Sequence, residues 1–419
     1  MKPNNKFYLY YLLICYILGV LLYDFIGFDY TDEILLLVLV TNTCYNLLTN
    51  RVKKRKDLTE VAIVILIFIS YLCYSLAIKS NTHKAIFSDF VIQLKPFLAF
   101  YCIYLTDFSL ADNDKKIIRT TAVFSTIYIG SITLFGLGTG TFDNTIKSFF
   151  GHPSRYATTI TITSVLYLYA CSTFSFKQIL SAILILSIGL FSFRSKFFGF
   201  FVAAIATLLL RNRIELKINL KNTIASIVIV ASIIVVAYSK LSYYFVEGSQ
   251  NGEIYARPAL YMTSIKILSD YFPLGSGLGT FATHASAVDY SPLYDQYDLS
   301  SVFGLTPDKR SFISDTFFPS LAQFGFLGTI LFFTFWVRLF KKIRIYSSIK
   351  SPVATQLITI SFLILLFLFI ESIADSTFTQ NRGLFTMLLL GLSMNDMHHE
   401  AVKNICRLNI LNKSVLLYK

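Results

Sequence analysis

Two arginines, Arg194 and Arg257, are the residues of this sequence best suited to binding phosphate. Arg194 lies in a short polar segment, 193-FRSK-196, between two apolar stretches, and Arg257 directly precedes Pro258 at the start of a helical pattern. A guanidinium remains charged at any physiological pH and binds phosphate oxygens through two parallel hydrogen bonds. Two arginines entering one cavity would suit a diphosphate. Taken singly, Arg194 is equally consistent with contacting lipid phosphate, and Arg257 with an ordinary surface charge.

Asp315 and His284 are the candidates for a general base. His284 follows a glycine-rich stretch, and an imidazole titrates near neutral pH, as general-base catalysis requires. A single loop histidine is nonetheless more often an ordinary surface residue. Asp315 lies where the chain enters a late apolar stretch. Neither residue has a partner that the sequence identifies, so the base is left open between them.

A stretch rich in tyrosine and aspartate, 289-DYSPLYDQYDL-299, has the composition of a sugar-binding surface. Aromatic faces pack on the C–H surfaces of sugars, and carboxylates accept hydrogen bonds from sugar hydroxyls. A belt of interfacial tyrosines is an equally good interpretation. The residues predicted to bind substrate are Tyr290, Tyr294 and Tyr297 of this stretch. Two arginines outside it are also predicted to do so, Arg310 later in the long loop and Arg155 of 151-GHPSRYA-157 on the external face.

No motif for a metal or nucleotide cofactor occurs in the sequence. The metal-binding motifs CxxC and HExxH are absent. The segment 275-GSGLGTF-281 resembles a dinucleotide-binding loop only superficially. No strand precedes these glycines and no βαβ unit follows them, so they are better explained as a tight backbone turn. The sequence therefore predicts chemistry that uses neither a metal nor another cofactor.

The elements that must position these residues are membrane helices. Of the 419 residues, 55% are hydrophobic and 15% are charged, and the mean hydropathy is +0.61. Soluble domains contain about 25% charged residues, so this composition excludes cytosolic enzymes, disordered chains and secreted disulfide scaffolds. We predict an all-α polytopic membrane protein with about twelve transmembrane helices. They are predicted at 7–22, 34–49, 60–78, 89–106, 119–137, 156–173, 178–193, 197–210, 223–240, 317–337, 353–371 and 383–396.

The distribution of charge predicts the orientation in the membrane. Short basic connections such as 51-RVKKRK-56 lie on the side of the N-terminus, which predicts that both termini are cytoplasmic. This explains the net charge of +13 better than nucleic-acid binding does. The long external loop, 241–316, has instead eight acidic and four basic residues. Its segment 255–272 is predicted to be a helix, with Pro258 in the first turn and Pro273 ending it.

The predicted chain thus divides into four parts. Helices one to nine occupy 1–240, the large periplasmic loop with its short helices occupies 241–316, and helices ten to twelve occupy 317–397. A basic cytoplasmic tail, 398–419, completes the chain. The long loop is where we expect the function, because loops of this length are usually functional or disordered.

Four further ionisable residues lie in or beside the predicted helices. Lys95 is within a helix, where such a residue usually faces a polar interior, although it could also extend to the nearby external surface. Glu371, Asp375 and Arg382 cluster near the last external connection and could pair with one another.

In this order, the features resemble those of the bacterial O-antigen polymerase and O-antigen ligase superfamily. The matching residues are the arginine of 193-FRSK-196 and an arginine opening a helix that runs into 270-DYFPLGSGLGTF-281. The chain then enters the next helix through 314-SDTFFPSLAQFGFLGTILFF-333. The resemblance implies a GT-C-like membrane glycosyltransferase of the bacterial inner membrane, independent of metal, whose active site faces the periplasm.

The resemblance also implies roles for individual residues. Arg194 and Arg257 would bind the diphosphate of an undecaprenyl-diphosphate-linked glycan and stabilise its departing charge. The ligase branch has a histidine where this sequence has Ser314 and Asp315, which favours a polymerase and leaves the base open between Asp315, His284 and the substrate. The implied partners are lipid-linked glycans and membrane lipid, with a chain-length regulator as a further candidate and no nucleic acid.

Two alternative functions fit parts of the same pattern. An O-antigen ligase would transfer a finished glycan to lipid A–core. A flippase for lipid-linked oligosaccharides also has twelve helices and cationic residues. The long external loop and the scarcity of basic residues within helices count against the flippase.

Overall fold

The computed structural model describes residues 5–28, 30–49, 55–106, 108–172, 174–211, 255–347 and 351–417. Within these ranges the chain forms helices joined by turns and contains no strands, so the all-α prediction is confirmed there. The predicted ninth membrane helix, 223–240, and the start of the long loop, 241–254, lie outside the described residues.

Ten helices precede the long loop in the described chain, and six follow from its start. The first ten are α1 (Asn5–Tyr16), α2 (Tyr23–Ile26), α3 (Thr31–Leu48), α4 (Arg55–Ile78), α5 (His83–Leu105), α6 (Asp112–Gly138), α7 (Phe142–Phe150), α8 (Pro153–Ala170), α9 (Phe176–Ile188) and α10 (Ser195–Leu210). The others are α11 (Ala256–Asp270), α12 (His284–Val288), α13 (Leu293–Gln296), α14 (Gly325–Tyr346), α15 (Pro352–Ala374) and α16 (Asn381–Leu417). A π-helical turn extends α1, and 3₁₀ turns extend α9 and precede α14.

Five helices of the described residues are long and apolar enough to cross a membrane. They are Asp57–Ile78, His83–Leu105, Asp112–Gly138, Phe318–Tyr346 and Pro352–Ala374. Three shorter apolar helices are Asn5–Leu21, Phe176–Ser192 and Ser195–Leu210. These helices identify the chain as compatible with a membrane protein, whereas the count of twelve spans and the orientation stay predictions.

The core of the bundle forms around α5 and α16. Two-thirds of the apolar window of α5 is buried inside the protein, as in α15, whereas the other three long apolar helices are 17–39% buried. Gly391 of α16 allows the two backbones to approach, since a Cβ atom there would lie 2.6 Å from the carbonyl oxygen of Phe100. Small residues permit close helix contact of this kind in membrane proteins. The bundle is therefore a packed scaffold rather than a loose array.

The described part of the long loop, 255–316, has its own small hydrophobic core. Leu260 and Ile267 of α11 pack with Phe281, Tyr294 and Ile313. The helix predicted at 255–272 is confirmed as α11, and a proline in its first turn is tolerated because that N–H has no intrahelical partner. The loop is thus a structured unit.

The glycine-rich turn attaches this loop to the apolar helices α4 and α5. Gly275, Gly277 and Gly279 all have positive φ angles, of 84°, 90° and 74°. The Gly279 N–H donates a 2.8 Å hydrogen bond to Asp89 of α5, and the Leu278 N–H donates one of the same length to Ser75 of α4. The glycines therefore form the tight turn that their spacing predicts.

Lys95 does not extend to the membrane surface. Its ammonium group is buried and contacts the carboxylates of Asp32 and Glu33, with 2.8 Å to Glu33. Of the two interpretations of Lys95, the polar interior is therefore the one that the structure supports, because an isolated buried charge would be costly and a paired one is tolerated.

Replacing Gly275 by alanine should destabilise the docked loop. A Cβ atom there would lie 2.2 Å from the backbone nitrogen of Gly325, and alanine disfavours the positive φ. We expect a loss of about 2–4 kcal/mol, seen as a lower midpoint of thermal unfolding in detergent. Gly130→Ala is the matched control, because a Cβ atom there meets nothing within 4 Å. Equal midpoints for both variants would contradict the tight docking of the turn.

Candidate active site

A mostly buried lysine and two carboxylates form the centre of a charged cluster at one end of the bundle. Lys196, in the first turn of α10, donates hydrogen bonds of 2.7 Å to both Glu371 and Asp375 at the end of α15. The Thr377 hydroxyl donates to the same two carboxylates at 3.1 Å. Ser154 of α8 donates to Asp375 at 3.0 Å. Three helices, α8, α10 and α15, are therefore joined through one ion network.

Asp375 is held in its charged form by this network. Burial raises the pKa of Asp375, but the charge of Lys196 and the hydrogen bonds from Lys196, Ser154 and Thr377 lower it by more. Its pKa lies below the ordinary value as a result. A carboxylate that stays charged in a buried position fixes the cations around it.

Arg194 precedes α10 in a strained backbone turn. The chain leaves the 3₁₀ turn Gly189–Ser192, and Phe193 adopts a left-handed conformation with φ of 52°. Arg194 is then extended and α10 begins at Ser195. Aromatic residues rarely adopt a left-handed conformation, and such strain is concentrated at functional sites. The turn presents the Arg194 side chain half-buried at the end of the bundle.

The guanidinium of Arg194 lies beside His152. Nη2 of Arg194 is 3.2 Å from Nε2 of the imidazole. The other ring nitrogen, Nδ1, accepts a 3.1 Å hydrogen bond from the Ser154 backbone N–H and so caps the start of α8. Arg194 has no carboxylate within salt-bridge distance anywhere in the described chain. It is thus held next to a histidine rather than next to an acid.

Both contacts bring an N–H donor to His152, so they compete for the one nitrogen of the ring that can accept a hydrogen bond. Burial lowers the pKa of His152, and the charge of Arg194 lowers it further, so the ring is neutral at pH 7. A neutral imidazole can accept a hydrogen bond at one nitrogen only. The Ser154 N–H is buried and would cost about 1–3 kcal/mol without an acceptor, whereas the half-buried Arg194 can bind water. Nδ1 is therefore the acceptor, and Nε2 carries the proton.

Arg257 belongs to the same cluster through Asp315. The two side chains form a salt bridge, and α11, which carries Arg257, is attached to α15 by a 2.7 Å hydrogen bond from the Tyr261 hydroxyl to the Ile373 carbonyl. Burial raises the pKa of Asp315, and the charge of Arg257 offsets part of this increase. The charges of Asp375 and Lys196 also act on Asp315. The pair of Arg257 and Asp315 therefore lies close enough to Lys196 and Asp375 for their charges to act on it.

Asp24 connects two further cations, Arg155 and Arg382, to the cluster. It forms salt bridges with Arg155 at 2.6 Å and with the fully buried Arg382. The Nε atom of Arg382 also donates a 3.2 Å hydrogen bond to Thr159 of α8. Arg155 acts electrostatically on both His152 and Arg382, so it lies close to both.

The acids at the last connection are paired differently from the expectation. Glu371, Asp375 and Arg382 do cluster, but Arg382 binds Asp24, and the two acids bind Lys196. The actual partners could not be recognised from the sequence. Asp24 and Lys196 are distant in sequence from the last connection, so the sequence could not place them beside it.

Four of the nine residues predicted for the site therefore meet in one cluster. Arg194 is connected to Asp375 by contacts through His152 and Ser154. Arg257 is paired with Asp315, which lies close enough to Asp375 for the charge of Asp375 to act on it. The four predicted residues that come together are Arg155, Arg194, Arg257 and Asp315. Five others lie in the body of the loop.

The three predicted tyrosines make contacts within the loop. Tyr294 is fully buried, and its hydroxyl accepts a 2.9 Å hydrogen bond from the Ala282 N–H. Tyr290 donates to the Leu305 carbonyl at 2.7 Å, and Tyr297 donates to Asp270 at 2.7 Å. These hydrogen bonds stabilise the loop, and the predicted contacts with sugars stay a prediction.

Arg310 and His284 lie at opposite ends of α12. Arg310 donates hydrogen bonds to the carbonyls of Ala287 and Val288, at 2.9 and 2.8 Å, which satisfies the end of this short helix. His284 is the first residue of α12 and is exposed. The part of the chain that the structure describes shows no contact between His284 and the charged cluster.

Sequence reasoning assigned no role to His152, Lys196 or Asp24. His152 had a usable signal, because it directly precedes a proline at a helix start, in 151-GHPSRYA-157, where a side-chain acceptor caps the helix. Lys196 lies within the segment already selected for Arg194. Asp24 had no such signal, since its partners are 131 and 358 residues away.

The described residues contain no group of three or more histidine, cysteine, aspartate or glutamate side chains arranged to hold a metal ion. No known family model matches this chain, and no curated protein is detectably similar to it. The charged cluster itself is therefore the basis for assigning a function.

Replacing Lys196 by methionine should strongly destabilise the protein. The change leaves two buried carboxylates without their cation, which costs about 3–5 kcal/mol. The loss should shrink as the pH is lowered, because protonation removes the uncompensated charge. Thermal unfolding in detergent between pH 5 and pH 8 measures both effects.

Lys342→Met is the matched control for this experiment. Lys342 also binds two carboxylates, Asp57 and Glu60, but its side chain is 24% exposed, against 12% for Lys196. We expect this control to cost about 1 kcal/mol. If both variants lost equal stability, the central role of Lys196 would be wrong.

Proposed function

We propose that this protein is a membrane glycosyltransferase that polymerises undecaprenyl-diphosphate-linked oligosaccharide repeat units into O-antigen or capsular polysaccharide. The reaction would take place on the periplasmic face of the bacterial inner membrane. The observation that carries the proposal is that Arg194 and Arg257, from different parts of the chain, both lie near Asp375. Arg194 contacts His152, which is bound through Ser154 to Asp375, and Arg257 pairs with Asp315, on which the charge of Asp375 acts. Such a cluster suits a substrate with two adjacent phosphates.

In the proposed reaction, the acceptor is a sugar hydroxyl of another lipid-linked repeat unit. Its oxygen attacks the anomeric carbon of the donor glycan, and the bond from that carbon to the diphosphate breaks. The departing diphosphate gains negative charge, which Arg194 and Arg257 stabilise. Cations fixed by a buried network need little rearrangement when this charge develops, so they favour the transition state over the ground state.

Asp315 is the base that best fits this scheme. Its pKa is raised by burial, and a carboxylate with a higher pKa is a better proton acceptor. The salt bridge to Arg257 holds it beside one of the two diphosphate-binding arginines. The presence of Asp315 where the ligase branch has histidine also supports a polymerase over a ligase.

Replacing Arg194 or Arg257 by lysine should nearly abolish long glycan chains. Lysine keeps the charge but loses the planar guanidinium that binds two phosphate oxygens at once. We expect a decrease of about 100-fold or more in polymer synthesis for each variant, measured on gels of polysaccharide from a deletion strain expressing the variant.

Arg338→Lys is the control, since this exposed arginine lies in α14, away from the charged cluster. It should leave chain length unchanged. Long chains in both Arg194→Lys and Arg257→Lys would contradict the diphosphate role. In the deletion strain, core carrying a single repeat unit supports a polymerase. Core without any repeat unit would indicate a ligase, and substrate accumulating on the cytoplasmic leaflet would indicate a flippase.

Replacing Asp315 by asparagine should reduce the rate by about 100- to 10,000-fold, because the amide cannot accept the proton. In the wild type, the rate should fall as the pH drops through the raised pKa of Asp315, above the usual range of an aspartate. Rates measured against pH with purified donor lipid test this expectation. If His284→Gln produced the loss and Asp315→Asn did not, the base would be His284.

A further inference from the structure

We propose that His152 and Arg194 together form a binding site for one phosphate group, in which the imidazole N–H and the guanidinium donate to the same anion. The inference deepens the proposed function and rests on it for the identity of the ligand, a diphosphate. The arrangement of donors and charges that supports the site can be tested without any glycan.

Two hydrogen-bond donors, one from His152 and one from Arg194, lie next to each other at the proposed site. Because Nδ1 of His152 accepts from the Ser154 N–H, its Nε2 carries a proton, and this nitrogen is 3.2 Å from Nη2 of Arg194. Two N–H groups cannot satisfy each other at that distance. An oxygen of an anion placed against both would accept a hydrogen bond from each, and a phosphate has several such oxygens.

The charges of the cluster are not balanced at Arg194. Four of its five cations already have carboxylate partners within the described residues. These pairs are Arg155 with Asp24, Arg382 with Asp24, Lys196 with Glu371 and Asp375, and Arg257 with Asp315. Arg194 is the cation of the cluster without an acidic partner, so an added anion would be neutralised there.

The charges around the His152 imidazole also favour binding of an anion. The charges of Arg194, Lys196 and Arg155 all disfavour a positive charge on His152, whereas the charge of Asp375 favours one. The surroundings of the ring are therefore net positive, which favours an anion. His152 is exposed and Arg194 is half-buried, so a ligand can reach both donors from outside.

The structure also separates two properties of His152. Nδ1 acts as a helix cap, whereas Nε2 is the donor facing the proposed anion. Asparagine can keep the cap, because its side-chain oxygen is placed like Nδ1 and asparagine is among the best capping residues. Glutamine can instead place an amide N–H near the position of Nε2. His152→Asn and His152→Gln thus remove different parts of the residue.

The test is the affinity of the purified full-length protein for inorganic diphosphate, measured by calorimetry in detergent. We expect His152→Asn to bind about three- to tenfold more weakly than the wild type, the effect of one lost hydrogen bond. His152→Gln should remain within about twofold. His83→Asn is the control, because His83 is an exposed histidine at the start of α5 and should have no effect.

Each outcome decides one question. Wild-type affinity in His152→Asn, or equal losses in His152→Asn and His152→Gln, would overturn the shared site even if the protein makes polymer. The expected pattern of affinities in a protein that makes no polymer would support the anion site and reject the proposed polymerase. The midpoints of thermal unfolding of the variants, compared with that of the wild type, show whether a weaker affinity results from a loss of folded protein. A folded His152→Asn variant that binds diphosphate more weakly supports the site.

Discussion

The buried ion pair between Lys196 and the two acids at the end of α15 determines the geometry of the cluster. An ammonium and two carboxylates removed from water are tolerated only if they stay in contact, because separating them would leave charge in a poorly polar environment. This requirement fixes the start of α10 against the end of α15. Arg194 is two residues before Lys196, so its position follows from the same constraint.

The segment 371–375 is the common attachment point for both arginine-bearing parts of the chain. Lys196 binds its two acids, and the Tyr261 hydroxyl from α11 binds the Ile373 carbonyl. The Phe317 N–H, just after Asp315, donates to the Ser372 carbonyl at 3.3 Å. A loop that was merely tethered to the membrane helices could not hold Arg257 at a constant position relative to Arg194. Shared anchoring makes a preorganised anion site physically reasonable.

The sequence was sufficient for features that depend on local patterns. Apolar stretches predicted helices, the prolines at 258 and 273 predicted α11, and glycine spacing predicted the turn at 275–279. Guanidinium chemistry selected Arg194 and Arg257. The sequence could not predict side-chain partners, because Lys196 and Glu371 are 175 residues apart and no local rule relates them. It also could not distinguish the buried Tyr294 from an exposed sugar-binding tyrosine, since burial depends on how the loop folds.

The comparison of Arg194 with Arg257 shows why pairing matters more than the number of cations. An arginine already bound to a carboxylate must give up or share that partner to bind an anion, and this reduces the gain in free energy. Arg257 is bound to Asp315 in this way, and in the proposed reaction it would also position Asp315 as the base. Arg194 faces the protonated nitrogen of a neutral histidine and has no carboxylate to displace among the described residues. An anion would therefore gain most binding free energy at Arg194, and in the proposed reaction Arg257 would contribute once the charge increases in the transition state. The two arginines have the same chemistry, but their different partners would give them different roles in the proposed reaction.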